Sequence, residues 1–156
     1  MPKVLIIRFS SIGDIILTTP VIRAIKQQVK GVELHYCTKK SYAVFMQHNP
    51  YIDKLHYLED DLSKLATALR AEKYDYIIDL HNNLRTLRLK FLIGAYSWWG
   101  KSPEAVSFNK LNIEKWLYVN LKKADAMPNV HIVDRYMDAA QTLGVVTDNQ
   151  GLDFFI

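Results

Sequence analysis

The sequence predicts an α/β fold: a Rossmann-like three-layer sandwich with a mostly parallel sheet. Three observations carry this. Two short apolar runs, Val4–Ile7 and Tyr76–Ile78, have the make-up of central parallel strands covered on both faces. Strand-like runs alternate with helical periodicity along the chain, which implies right-handed crossovers and helices on both sides of the sheet. The length, 156 residues, is that of one domain, and such a domain buries roughly 70% of the surface its unfolded chain exposes.

Lys3–Phe9 is the first strand. The helical element after it contains Pro20, which removes a backbone donor and collides with the preceding turn. The expectation is a short helical turn at Gly13–Leu17, a kink, and a helix restarting with Thr19 as cap and Pro20 at its first position. Val21, Ile22, Ile25 and Val29 fall on one face of it, and Gly31 stops it. Val32–Cys37 is the second strand, and Ser41–His48 a short helix that ends before Asn49-Pro50. Lys54–Leu58 is the third strand. Leu62, Leu65, Ala66 and Leu69 mark an amphipathic helix that runs to about Glu72. Tyr74–Leu80 is the second central strand, and Asn83–Leu92 a helix closed by Gly94. Ala95–Trp99 and Glu104–Phe108 read as shorter, lateral strands, followed by helices at Lys110–Lys122 and His131–Leu143, with Gly144 as the stop. No repeat, low-complexity tract or interior linker interrupts this pattern. The tail Gly151–Ile156 is apolar, and termini are usually polar unless they are docked.

Composition narrows the function classes. With 49% hydrophobic and 23% charged residues the chain is globular, not disordered. Its apolar runs are too short and too interrupted by charge to span a bilayer, and the run after Lys3 does not make a secretory signal. The single cysteine, Cys37, has no internal disulfide partner, which fits a reducing compartment and an expected cytoplasmic location. The net charge of +4 is spread along the sequence, with small concentrations at Arg85–Lys90 and Lys122–Lys123. No aromatic-bearing basic motif of a nucleic-acid module accompanies it. A solvated basic surface explains the charge, as does attraction to anionic substrates or to an anionic membrane surface.

Two clusters offer chemistry. Ser10, Ser11, Gly13 and Asp14 follow the first strand, where parallel α/β sheets place their ligands. Gly13 permits close approach of a ligand to the backbone, and the hydroxyls suit a sugar or phosphate. The same residues also serve as helix-capping chemistry, with Asp14 complementing the helix dipole. His81, Asn83, Arg85 and Arg88 follow the second central strand, on the same sheet edge. Their side chains make directional hydrogen bonds, and guanidinium groups grip phosphate or carboxylate. Here the competing explanation is a helix cap by Asn82 or Asn83 with solvated arginines. Neither Gly-x-Gly-x-x-Gly nor Gly-x-x-x-x-Gly-Lys-Ser/Thr occurs, so dinucleotide and P-loop sites lack their fingerprint. His35, His48, His56 and His131 have no partner at ligand spacing along the sequence, so no metal site is expected. Trp98, Trp99 and Trp116 read as core or crevice lining. His131, Asp134 and Arg135 share one helical face, as a surface ion pair would.

The opening Lys3-Val-Leu-Ile-Ile-Arg-Phe-Ser-Ser-Ile-Gly-Asp-Ile-Ile-Leu-Thr-Thr-Pro-Val-Ile-Arg-Ala-Ile-Lys26 resembles the amino terminus of the lipopolysaccharide heptosyltransferases, glycosyltransferase family 9. Tyr74-Asp-Tyr-Ile-Ile-Asp-Leu-His-Asn-Asn-Leu-Arg-Thr86 and His131-Ile-Val-Asp-Arg-Tyr136 with Leu143-Gly144 resemble that family in order and spacing. The resemblance implies a GT-B glycosyltransferase with two Rossmann-like domains. The amino-terminal one takes a lipid A–core saccharide acceptor, and the carboxyl-terminal one takes ADP-heptose. It implies inverting, metal-independent transfer. Asp14 would be the general base on the acceptor hydroxyl, Ser10, Ser11 and Gly13 would shape its loop, and His81, Asn83, Arg85 and Arg88 would hold acidic sugars or phosphates.

The family carries a second domain of similar size that this sequence lacks. The expectation is therefore a single acceptor-side domain over residues 1–156, without the donor site and inactive alone, with its partners the acceptor, the missing domain and the inner membrane surface. The competing classes are a non-catalytic Rossmann-like binding or assembly module and a flavodoxin-like nucleotide or flavin binder, against which the absent glycine fingerprint counts.

Overall fold

A computed structural model of the chain describes residues 2–94, 104–107, 136–148 and 150–153. Strand β1 (Lys3–Ile7) sits at the centre of a five-stranded, all-parallel sheet. Beside it lie β2 (Glu33–Lys39) and then β3 (Lys54–Leu58); on the other side lie β4 (Tyr76–Asp79) and then β5 (Glu104–Ser107). The order β3-β2-β1-β4-β5 runs outward from β1 twice, in opposite directions. The strand order thus reverses between β1 and β4, and the crevice outside their carboxyl ends is where such sheets bind ligands.

Alternation explains why β1 is apolar throughout. Val4 and Ile6 join a cluster on one face with Val21, Ile22, Ile25, Tyr136 and Ala140. Leu5 and Ile7 join the opposite cluster with Leu65, Leu69, Leu89 and Ile93. All four are fully buried, and each such side chain contributes about 1.5–3 kcal/mol. The first face is covered by α2 (Thr19–Gln28) and by helical residues 136–140, the second by α3 (Leu62–Glu72) and α4 (Leu84–Ile93).

The helix break around Pro20 is present, with two adjustments. The first piece, α1, is Ile12–Leu17, and the cap of α2 is Thr18, one residue earlier than expected. The Thr18 hydroxyl bonds back to the Ile15 carbonyl, while its own carbonyl accepts from Ile22 N–H at 3.1 Å. Strand β2 runs two residues past Cys37, because Arg8 N–H donates to the Cys37 carbonyl at 3.0 Å and Lys39 N–H to the Phe9 carbonyl at 3.3 Å. The segment expected as a helix at Ser41–His48 is a 3-10 helix, Lys40–Phe45, with only Ala43 buried. With so little apolar surface to cover, nothing draws it into a longer α-helix. Ala95–Trp99, Lys110–Lys122 and residues 131–135 lie outside the described residues. Among the described residues no helix is long and apolar enough to cross a membrane.

The tail is docked on α2 as far as it is described. Arg23, buried among apolar neighbours, pairs with Asp148 at 2.6 Å and Asp153 at 2.6 Å, and donates to the Gly151 carbonyl at 2.8 Å. Gln28 exchanges two bonds with the Val146 backbone, and Asp153 N–H donates to Thr19 Oγ1. The hydrogen bond from Arg23 is the largest influence on Asp148 and holds its carboxyl below the usual range. A carboxyl depressed in the folded state stabilises above its unfolded pKa, and that stabilisation is lost as pH falls through the folded value. Arg23→Leu is expected to cost about 3 kcal/mol, the toll of breaking a buried pair from one side. Urea unfolding at neutral pH checks this, and below about pH 4 the gap between variant and parent should narrow.

Candidate functional site at the sheet switch point

The carboxyl ends of β1 and β4 bring part of both predicted clusters to one crevice, Ser10 from the first and His81, Asn83 and Arg85 from the second. Phe9, Ser10, Lys39, His81, Asn83, Leu84 and Arg85 line an open cleft of about 520 Å³. Ser10 comes from the β1 loop, Lys39 from the end of β2, His81 and Asn83 from the β4–α4 connection, and Arg85 from the first turn of α4. Lys39 and Arg85 make the lining cationic, and the His81 ring leans on Phe9 with centroids 5.6 Å apart. Ser11, Gly13, Asp14 and Arg88 do not line this cleft. Ser11, Gly13 and Asp14 sit beside it, at the start of α1, and Arg88 lies on exposed α4 surface.

Asp14 is held by two contacts on the same oxygen. Arg8 Nη2 lies 2.9 Å from Oδ2, and Ser11 Oγ donates to Oδ2 at 2.9 Å. Its side chain is about one-third exposed, at 35%. With both contacts on Oδ2, Oδ1 can accept a proton without breaking either. Ser11 is the N-cap by position, yet its hydroxyl goes to Asp14 and no side-chain bond caps α1. The serine is thus used to orient the carboxylate. Beside Gly13 the space is open: a β-carbon there would meet nothing within 4 Å, and the residue is helical. The fold does not need glycine at this position.

Arg8 is the residue that sequence reasoning missed. Its guanidinium is buried at the end of β1, where Nη1 donates to the Leu80 carbonyl at 2.8 Å while Nη2 holds Asp14. One side chain therefore ties the β1 loop to the end of β4. An arginine closing a buried parallel strand, six residues before a carboxylate, was the available signal. A buried cation is costly unless paired.

The second cluster divides by role. Asp79, fully buried at the end of β4, accepts from His81 N–H at 3.0 Å and Asn82 N–H at 2.8 Å, and its other oxygen lies 3.0 Å from Lys90 Nζ. It shapes the turn that presents His81. Asn83 caps α4: its side chain accepts from Thr86 N–H at 2.9 Å, and the Thr86 hydroxyl accepts from Asn83 N–H at 3.0 Å. Asn83 is thus both a cap and part of the cleft wall. The α4 start also lifts Arg85 to the rim.

No family model matches the chain. A curated relative, lipopolysaccharide heptosyltransferase 1 of Campylobacter coli, is 30% identical over 90 residues, which is 54% of this chain and 26% of that protein. The crystal structure of a glycosyl transferase family 9 protein from Veillonella parvula superposes with a TM-score of 0.73 at 25% identity, over 99% of this chain and 45% of that one. The E. coli heptosyltransferase WaaC solved with ADP-2-deoxy-2-fluoro heptose shares the fold, with a TM-score of 0.68 at 16% identity over 97% of this chain and 51% of WaaC. The chain spans about half the length of these solved structures and about a quarter of the curated relative.

The double role of Asn83 can be separated. Asn83→Ala should cost about 1 kcal/mol through the lost cap, and Asn83→Ser should restore most of that. Thermal unfolding of the two variants reads the cap, and any ligand effect that Ser does not restore reports the amide in the cleft.

Proposed function

We propose that this chain, which is similar to a lipopolysaccharide heptosyltransferase and to a glycosyl transferase family 9 structure, is the acceptor-binding half of an inverting, metal-independent glycosyltransferase. In this proposal residues 1–156 are the amino-terminal side of a GT-B enzyme that moves heptose from ADP-heptose to a lipid A–core saccharide. On this reading the donor site belongs to the part of such enzymes that this chain does not span, and transfer needs both parts.

The observation that carries the proposal is the pair Arg8–Asp14 beside a cationic cleft at the switch point. Asp14 acts as general base: Oδ1 takes the proton from the acceptor hydroxyl as its oxygen attacks the anomeric carbon and the nucleoside diphosphate leaves. Arg8 and Ser11 fix the carboxylate through Oδ2. Lys39 and Arg85 bind anionic groups of the acceptor, with His81 and Asn83 adding directional hydrogen bonds. Arg88, one helical turn beyond, extends the same charge along the surface. The open space at Gly13 is room for the sugar.

The acceptor is amphiphilic, and the α4 surface suits its membrane. Leu84, Leu87 and Phe91 recur at helical spacing with 84%, 49% and 69% of their surface exposed, and Arg85 and Arg88 flank them. An apolar stripe edged with arginine fits an anionic lipid surface. Leu84 and Arg85 belong to this stripe and to the cleft wall alike.

In the protein carrying both domains, Asp14→Asn is expected to lower kcat for ADP-heptose-dependent transfer by about 10²–10⁴-fold with KM little changed. Unchanged kcat would remove Asp14 from the mechanism. In vesicle flotation, Phe91→Ser should weaken binding to vesicles containing anionic lipid, and added salt should release the parent protein. Equal flotation of parent and variant would contradict the membrane assignment.

A further inference from the structure

At the other edge of the sheet, near the amino ends of the strands, the fold assembles a second polar group that the sequence spacing hides. His35 on β2, His56 on β3, Glu72 at the end of α3 and Tyr74 before β4 converge, and both histidines and the tyrosine are buried. His35 Nδ1 stands 3.2 Å from His56 Nε2, and the Tyr74 hydroxyl lies 2.8 Å and 3.1 Å from these two nitrogens. Glu72 Oε2 is 3.9 Å from His35 Nδ1. This corrects the expectation that these histidines lack partners: parallel pairing of β2 with β3 brings residues 21 apart into contact.

We propose that His35, His56 and Glu72 form a binding site for a divalent transition-metal ion of the zinc class. The ligand atoms of all three lie within 4.8 Å of one another. Two ligands at zinc bond lengths and the tetrahedral angle stand about 3.3 Å apart, close to the 3.2 Å separating the two ring nitrogens. Glu33 Oε1 accepts the His35 Nε2–H at 2.8 Å, which leaves Nδ1 as the lone pair facing His56. A carboxylate behind a ligating imidazole is the usual support of a metal-bound histidine. Two imidazoles and one carboxylate suit zinc, copper or nickel better than magnesium or calcium.

Two cations oppose the ion and set its affinity. Lys3 Nζ is 2.7 Å from Glu72 Oε2, and Lys54 Nζ is 2.6 Å from Glu72 Oε1. An entering metal takes over Oε2 from Lys3, while Lys54 retains Oε1. The site therefore binds more weakly than its ligand set alone would, and removing Lys3 strengthens it. It lies at the opposite edge of the sheet from the cleft and does not depend on the proposed transferase activity.

The test is a Co²⁺ titration of this chain followed by visible absorption, with Zn²⁺ added in competition. The expected result is a tetrahedral d–d band that Zn²⁺ abolishes. His56→Gln should remove it, Lys3→Met should bring it in at lower Co²⁺ concentration, and Glu33→Gln should weaken binding about 10–100-fold. Exposed His48 lies outside the cluster, so His48→Gln should leave the titration unchanged. No band in either the parent or Lys3→Met, or a band that persists in His56→Gln, overturns the proposal.

Discussion

The buried guanidinium of Arg8 holds two halves of the crevice together. It leaves the central strand, bonds the Leu80 carbonyl at the end of β4, and pairs with Asp14 at the head of α1. The bond to Leu80 spans β1 and β4, between which the strand order reverses. A cation this deep is tolerated because a carboxylate and a carbonyl replace its water. The position of Asp14 therefore follows from the core of the sheet and not from the flexibility of a loop. Ser11 then completes the arrangement on the same carboxylate oxygen.

Around that link the fold does two different kinds of work. At the carboxyl edge of the sheet, polar groups are presented outward: Lys39, His81 and Arg85 face an open cleft. At the amino edge, polar groups are turned on one another: His35, His56, Tyr74 and Glu72 form a closed network reinforced by Lys3, Glu33 and Lys54. The division matches a sheet whose carboxyl edge is open and whose amino edge ties strands β2 and β3 to α3 and β4. Asp79 belongs to neither set, since its oxygens go to the turn behind His81 and to Lys90.

Much of this architecture was legible because the signals were local. The apolar run of β1, Pro20 at a helix start, Asn83 ahead of α4 and Gly94 after it each act within a few residues. They recovered the order of elements along the chain and placed Asp14 and His81 on one edge. What escaped depends on pairing across the sheet. Arg8 has meaning only once Leu80 lies 2.8 Å away, and the histidine cluster only once β2 and β3 are in register. Lys39 enters the cleft because β2 is extended by bonds to the end of β1. The apolar tail was flagged as unusual, and its first described residues prove to be clamped by Arg23, a partner more than a hundred residues distant in sequence.

The central claim is that this chain is the acceptor side of a transferase, with its binding surface at the β1–β4 crevice. Backbone amide NMR of the chain during titration with a lipid A–core oligosaccharide tests it most directly, with ADP-heptose titrated in parallel. The account predicts saccharide-dependent shifts at Ser10, Lys39, His81, Asn83 and Arg85, and none of comparable size with the nucleotide sugar. Shifts at those residues caused by ADP-heptose, with the saccharide silent, would make this the donor side and contradict the account.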